Sequence, residues 1–210
     1  MRAFRNILPF MMAMAAIVAL SNYLVQFPVQ IRLGALDLAD LLTWGAFTYP
    51  VAFLVTDLTN RSFGVRAARA VVFAGFMLAV VLSFWLASPR IAIASGTAFL
   101  IAQFLDITIF DRLRALPWWQ APLISTLVGS LFDTVLFFSL AFAPAFVLLG
   151  ANDPFAIAPA PLLGILQTET PRWISWALGD LGVKFMVGLV MLAPYRALLA
   201  VFSLERRAIG

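Results

Sequence analysis

Of the 210 residues, 63% are hydrophobic and 11% are charged, whereas a soluble globular domain carries about 25% charged residues; so much apolar surface points to a lipid bilayer. The chain has no Cys and no His, which excludes a disulfide framework and thiol catalysis and removes the usual ligands of zinc, haem and copper, so neither metal nor other cofactor is expected. A net charge of +4 would suit nucleic acid, but the positions of the basic residues explain it differently.

A membrane-crossing helix needs roughly 20 apolar residues. Six segments approach that length, at about 7–27, 41–57, 68–88, 91–110, 121–147 and 173–203. With their connections they occupy residues 1–210 as a single transmembrane domain, so the predicted fold is an all-α integral membrane bundle of six helices. The first segment follows Arg2 and Arg5 as a secretory leader would, but its apolar run is longer than such a leader needs and it is read as a span. Its end carries Ser21, Asn22, Tyr23 and Gln26, whose polar groups suit helix–helix or ligand contacts. Residues 29–38, VQIRLGALDL, alternate in polarity and then meet Gly34, which predicts a short outer hairpin or cap.

The second segment is the shortest and contains Pro50, which frees a backbone carbonyl at membrane depth. Trp44 stands at its start as a belt residue or a stacking platform, and Asp57 at its end as a surface helix-end residue or a gating or coupling group. The third segment carries one well-embedded polar residue, Ser83, and is expected to face lipid or a partner subunit; a homo-oligomer is left open. The fourth and fifth place Asp106 in IAQFLDITIF and Asp133 in VGSLFDTVLFF. Aligning the two carboxylates superposes Gln103 on Ser130 and Phe110 on Phe137, a weak internal repeat of the kind transporters use. The sixth holds Asp180 and Lys184, four apart and therefore on one helix face, as an ion pair or as substrate contacts. A charge at mid-bilayer costs about 2.5–3.5 kcal/mol on insertion scales, so these groups should face the bundle interior.

Ten of the fourteen basic residues, Arg2, Arg5, Arg61, Arg66, Arg69, Arg112, Arg114, Arg196, Arg206 and Arg207, fall on one side of this topology, and Arg32, Arg90 and Arg172 on the other. The positive-inside rule puts both termini in the cytoplasm and accounts for the charge without nucleic acid. Trp85, Trp173 and Trp176 then lie near outer helix ends, Trp118 and Trp119 near an inner one, as interfacial anchors. The stretch 148–172, with Pro154, Pro159, Pro161 and Pro171, is expected to be an irregular outer loop.

Six blocks, SNYLVQFPV (21–29), TWGAFTYPVAFLVTDLTNRSFG (43–64), RIAIAS (90–95), FLDITIFDRLR (104–114), WWQAP (118–122) and STLVGSLFDTVLFF (125–138), together with GDLGVKF (179–185), resemble the bacterial queuosine-precursor transporters, a family earlier grouped with vitamin-uptake transporters. The resemblance covers roughly 20–145 and resumes in the last segment; 148–172 matches nothing in it. Many members carry a basic residue just before the Ser-Thr of the fifth segment, where this chain has Gln120 and Ala121. The resemblance implies a multi-pass carrier of the bacterial inner membrane that imports 7-cyano- and 7-aminomethyl-7-deazaguanine. For such a cargo the chemistry of the embedded polar and aromatic residues suggests a site drawn from Asn22, Trp44, Gln103, Asp106, Ser130, Asp133, Asp180 and Lys184, with Asp106 or Asp133 meeting the donor edge of the base. Two other readings fit the same residues: the substrate-binding subunit of an ATP-driven importer, whose ATPase would be a separate chain because no GxxxxGK[ST] occurs here, and an intramembrane aspartyl enzyme.

Overall fold

The computed structural model of the chain describes residues 2–34 and 36–209, and side chains from Ile7 to Val201 apart from those of residues 35, 84 and 86. The side chains of Arg2, Arg5, Arg206 and Arg207, which carry part of the orientation reading, lie outside that range. Among the described residues, five stretches are long and apolar enough to cross a membrane. They are α1 (Arg2–Leu24), α4 (Val65–Leu86), α5 (Pro89–Leu113), α6 (Gln120–Phe142) and the consecutive pair α8 (Arg172–Val190) and α9 (Leu192–Ile209). The expectation of six uniform spans is thereby modified at the second and sixth segments.

The second segment is two helices, α2 (Gly45–Thr48) and α3 (Val51–Phe63), interrupted at Tyr49–Pro50. Pro50 has no N–H to continue the ladder, and it serves as the N-cap of α3. The pair runs back along α1. Trp44 N–H donates to the Phe27 carbonyl at one end, and the Phe63 ring meets Phe10 edge-on at the other. Because α3 extends to Phe63, Asp57 is not a surface helix-end residue: it lies mid-helix and is 2% exposed.

The sixth segment breaks at Met191. Pro194 lies in the first turn of α9, where its missing N–H leaves the Val190 carbonyl without its usual donor. The fifth segment ends sooner than expected, at Phe142, because Pro144 opens a 3-10 turn over Pro144–Leu149.

A small hairpin does form within 29–38, β1 (Arg32–Leu33) against β2 (Leu36–Asp37), with Gly34 in the left-handed region at φ 63. The Arg32 guanidinium and the Ala39 N–H hold the exposed Asp37 carboxyl below its usual range. The stretch 148–172 is more ordered than expected. It contains α7 (Pro154–Ile157), capped by Asp153, and a second hairpin, β3 (Pro159–Pro161) against β4 (Glu169–Pro171). Arg90 pins the chain entering it. Its buried guanidinium donates to the carbonyls of Leu140, Ala143, Gly150 and Ala151 and to Asn152 Oδ1. The first two acceptors are free carbonyls at the C-terminus of α6, where a cation is favoured.

In α4, Ala68, Val71, Val72 and Ala79 pack into the main core, while Phe73, Met77, Val80 and Val81 lie exposed on the opposite face. At the other polar end of the bundle, Arg61 on α3 donates to Tyr195 Oη on α9 and to the Arg114 carbonyl after α5. Arg114 in turn donates to the Asn60 carbonyl. The arginine-bearing ends of α3, α5 and α9 therefore meet.

Candidate functional site

The residues that face inward do so by helical spacing. On α5 the buried positions Phe99, Ala102, Gln103, Asp106, Ile107 and Phe110 recur at intervals of three and one, one continuous stripe. On α3 the stripe is Phe53, Thr56, Asp57 and Asn60, and on α6 it is Ser125, Thr126, Gly129, Ser130, Asp133 and Thr134. The α6 stripe is made of small residues, which lets backbones approach closely. At Gly129 a β-carbon would come within 2.8 Å of the Phe53 ring and 3.4 Å of the Ala102 carbonyl, so α3, α5 and α6 close on this point.

Two polar clusters result. The first centres on Lys184, buried on α8. Its ammonium lies 2.6 Å from Asp133 Oδ2, 2.5 Å from Asp180 Oδ2 and 3.0 Å from Thr134 Oγ1. Thr134 donates its own proton to Asp180 at 2.7 Å, and Tyr49, at the break between α2 and α3, donates to Asp133 at 3.4 Å. The three donors of the ammonium are matched to three oxygens, and this cluster is complete in itself. The pairing of Asp180 with Lys184 is the one their spacing predicts; Asp133 joins them from another helix.

The second cluster lies about 12 Å further along α6, eight residues at 1.5 Å each. Here Asp57 accepts from Ser125 Oγ and Thr126 Oγ1, both at 3.4 Å, and Asp106 lies opposite it on α5, between two α3–α5 hydrogen bonds. Thr56 donates to Gln103 Oε1 at 2.6 Å, and Asn60 Nδ2 donates to the Ile107 carbonyl. This cluster is not complete. Both oxygens of Asp106, the Gln103 amide nitrogen, Asn60 Oδ1 and Ser130 Oγ are buried without a hydrogen-bond partner. Among the described residues no cation pairs with Asp57 or Asp106. Buried polar groups are nearly always satisfied, so this set of unsatisfied ones on adjoining helices leaves donors and acceptors open to a water, an ion or a ligand.

A narrow cleft reaches Asp57 from the side of α9. Pro50, Leu54, Thr126, Met191 and Tyr195 are among its walls, so both helix interruptions border it. It encloses about 10 Å³, room for one water molecule.

The other expected site residues stand apart. Trp44 precedes α2, is 43% exposed and tilts over Phe47 at 5.6 Å between ring centres. Asn22 donates to the Val18 carbonyl of its own helix at 2.8 Å. Tyr49, Thr56 and Asn60 were not singled out as site residues by the sequence reading. The last two were recognisable in LVTDLTN, where Thr56, Asp57 and Asn60 share one helical face.

The sequence profile of a family described as "Putative vitamin uptake transporter" matches residues 43–88 and 83–198. A protein of Escherichia coli K12 named "Queuosine precursor transporter" is 34% identical over 213 residues, covering 91% of this chain and 85% of the relative. A "Probable queuosine precursor transporter" of Haemophilus influenzae is 33% identical over 205 residues, covering 85% and 79%. Another of that name, from Bacillus subtilis, is 26% identical over 181 residues, covering 73% and 69%. No solved structure matches this one. The apolar helices and these relatives together make the chain a multi-pass membrane protein.

Proposed function

This chain belongs to the queuosine precursor transporter family, and we propose that it imports 7-cyano- and 7-aminomethyl-7-deazaguanine across the bacterial inner membrane for tRNA modification. The observation that carries the recognition step is the buried carboxyl of Asp106, both of whose oxygens lack a donor, on the same helix face as the unpaired amide nitrogen of Gln103. A deazaguanine presents a ring N–H and an exocyclic amino group side by side, two donors for the two oxygens of one carboxylate, and beside them a carbonyl that needs a donor. Asp106 accepts from the first pair, Gln103 donates its free amide N–H to the carbonyl of the base, and Ser130 lies on α6 at the level of Gln103. Asp133, Asp180 and Lys184 line the path a step deeper and tie α6 to α8.

The topology we adopt has six crossings with both termini cytoplasmic, counting α2 and α3 together as one broken crossing. The course of that pair along α1, from Phe27 to Phe10, and its 19 residues over 45–63 support this. The meeting of the Arg61 and Arg114 ends supports placing both in the same compartment.

The test is complementation. A queuosine auxotroph without its own importer, given the gene and a limiting 7-cyano-7-deazaguanine supply, is expected to regain queuosine in its tRNA. Asp106→Asn, which turns one acceptor into a donor, should cut uptake roughly 10- to 100-fold, as expected for a hydrogen bond to a charged group worth about 1.5–3 kcal/mol, with the protein still in the membrane. Failure of the wild-type gene to restore queuosine would refute the reading. Restoration only with an added ATPase module would replace it by the binding-subunit alternative.

A further inference from the structure

Asp57 has no part in the recognition step just described, yet it is a carboxyl buried beside another carboxyl. We infer that Asp57 is a proton-binding site, and that the substrate-loaded, closed carrier holds one proton on it. This rests on the reading of Asp106 as the acceptor for the base.

Asp57 and Asp106 are both buried and face each other across the α3–α5 contact, between the Thr56–Gln103 and Asn60–Ile107 hydrogen bonds. Two neighbouring carboxylates out of water do not both stay ionised without a cation. The charged groups facing the pair have other partners. Arg61, one turn along α3, directs Nε to Tyr195 and Nη1 to the Arg114 carbonyl and lies over the Phe110 ring; its Nη2 is buried without a partner and pairs with neither acid. Arg114 is directed to the Asn60 carbonyl and Asp111. Lys184 on α8 is held by Asp133 and Asp180. Tyr195 from α9 presents its hydroxyl to Arg61. From α6 come only the hydroxyls of Ser125 and Thr126. No ion pair to Asp57 or Asp106 exists among the described residues, and the compensating positive charge we assign is a proton.

The second independent observation is the missing hydrogen-bond partner of Asp106. Its oxygens, 0% exposed, receive no donor from the protein. In the empty carrier a proton shared with Asp57 supplies one. When the base arrives, its two donors occupy Asp106 and demand that it be the anion. The shared proton then has one place left, Asp57, whose contacts with Ser125 and Thr126 can turn to accept or donate as hydroxyls do. The cleft lined by Asp57, Tyr195 and Met191, with room for one water and without Asp106 or Gln103 among its lining residues, places a proton carrier beside Asp57.

The sign of the pH effect follows. Closure over the base requires Asp57 protonated and Asp106 ionised. Raising the pH strips Asp57 and weakens binding; lowering it protonates Asp106 and also weakens binding. Asn at position 57 mimics the protonated acid, so it removes the alkaline limb and leaves the acid one.

The experiment is calorimetric binding of 7-cyano-7-deazaguanine to the purified full chain in detergent, across a pH series and in buffers of differing ionisation enthalpy. The wild type is expected to lose about tenfold in affinity per pH unit on the alkaline side, relative to Asp57→Asn. The titration of the base itself is common to both proteins and cancels in that ratio. On that side the wild type should also take up a proton from buffer on binding, and the variant should not. Equal pH profiles for the two proteins, or no proton uptake by the wild type, would overturn the inference while leaving transport intact. The wild-type proton count decides even if the variant folds poorly. Replacing choline with sodium should change nothing; a sodium-dependent affinity would overturn the proton in favour of that ion. Absence of any binding by the wild type would sink the functional reading, and this inference with it.

Discussion

Lys184 has three N–H donors and three oxygens within 3.0 Å to receive them, one on each of Asp133, Asp180 and Thr134. Removing one member of such a buried set leaves the rest uncompensated, which costs about 3–5 kcal/mol, whereas replacing the whole set by neutral side chains is often tolerated. Lys184→Met is therefore expected to lower the thermal stability of the purified protein by that order, and Asp133→Asn/Asp180→Asn/Lys184→Met to recover much of the loss. Thermal unfolding in detergent reads this directly, and a single variant as stable as the wild type would show that the cluster does not hold α6 to α8. At this scale the sequence was partly legible. The four-residue spacing announced Asp180 with Lys184, because neighbours on one helix are fixed by helical geometry. It made Asp106 and Asp133 look equivalent, since each sits in a similar apolar run. They differ only in what the next helix brings, a cation to Asp133 and a second acid to Asp106, and tertiary neighbours leave no mark on local pattern.

Helix interruptions were legible to the extent that proline announces them. Pro50 marked the break before α3, although the length of α3 beyond Asp57 was underestimated because Thr56, Thr59 and Asn60 lower the local hydropathy while being buried. Pro194 passed unremarked within an apolar run, so α8 and α9 were read as one helix. The small hairpins of 148–172 were beyond reach: they depend on contacts such as Arg90 with the carbonyls of α6, which no local pattern encodes. The element most in need of a test is the α2–α3 pair. If it crosses as one broken helix, topology reporters fused after Gly34 and after Gly64, which flank it, should read as periplasmic and cytoplasmic respectively. The same compartment at both sites would show that α2–α3 does not cross.

As a whole, the bundle is closed around its acids. The cleft at Asp57 encloses about 10 Å³, room for one water and far less than a bicyclic base needs, so loading requires the helices to part. The two interrupted elements border that cleft at Pro50 and Met191, and discontinuous helices are where membrane carriers commonly bind and move. One helix face, that of α4 with Phe73, Met77, Val80 and Val81, points away from all of this, as its single embedded polar residue led one to expect. The central claim is that this chain by itself moves a deazaguanine. The measurement is entry of labelled 7-cyano-7-deazaguanine into liposomes containing only the purified chain. The account predicts entry at least about tenfold faster than into protein-free liposomes, without ATP, and a drop toward the protein-free rate for Asp106→Asn. Entry no faster than into protein-free liposomes would contradict it.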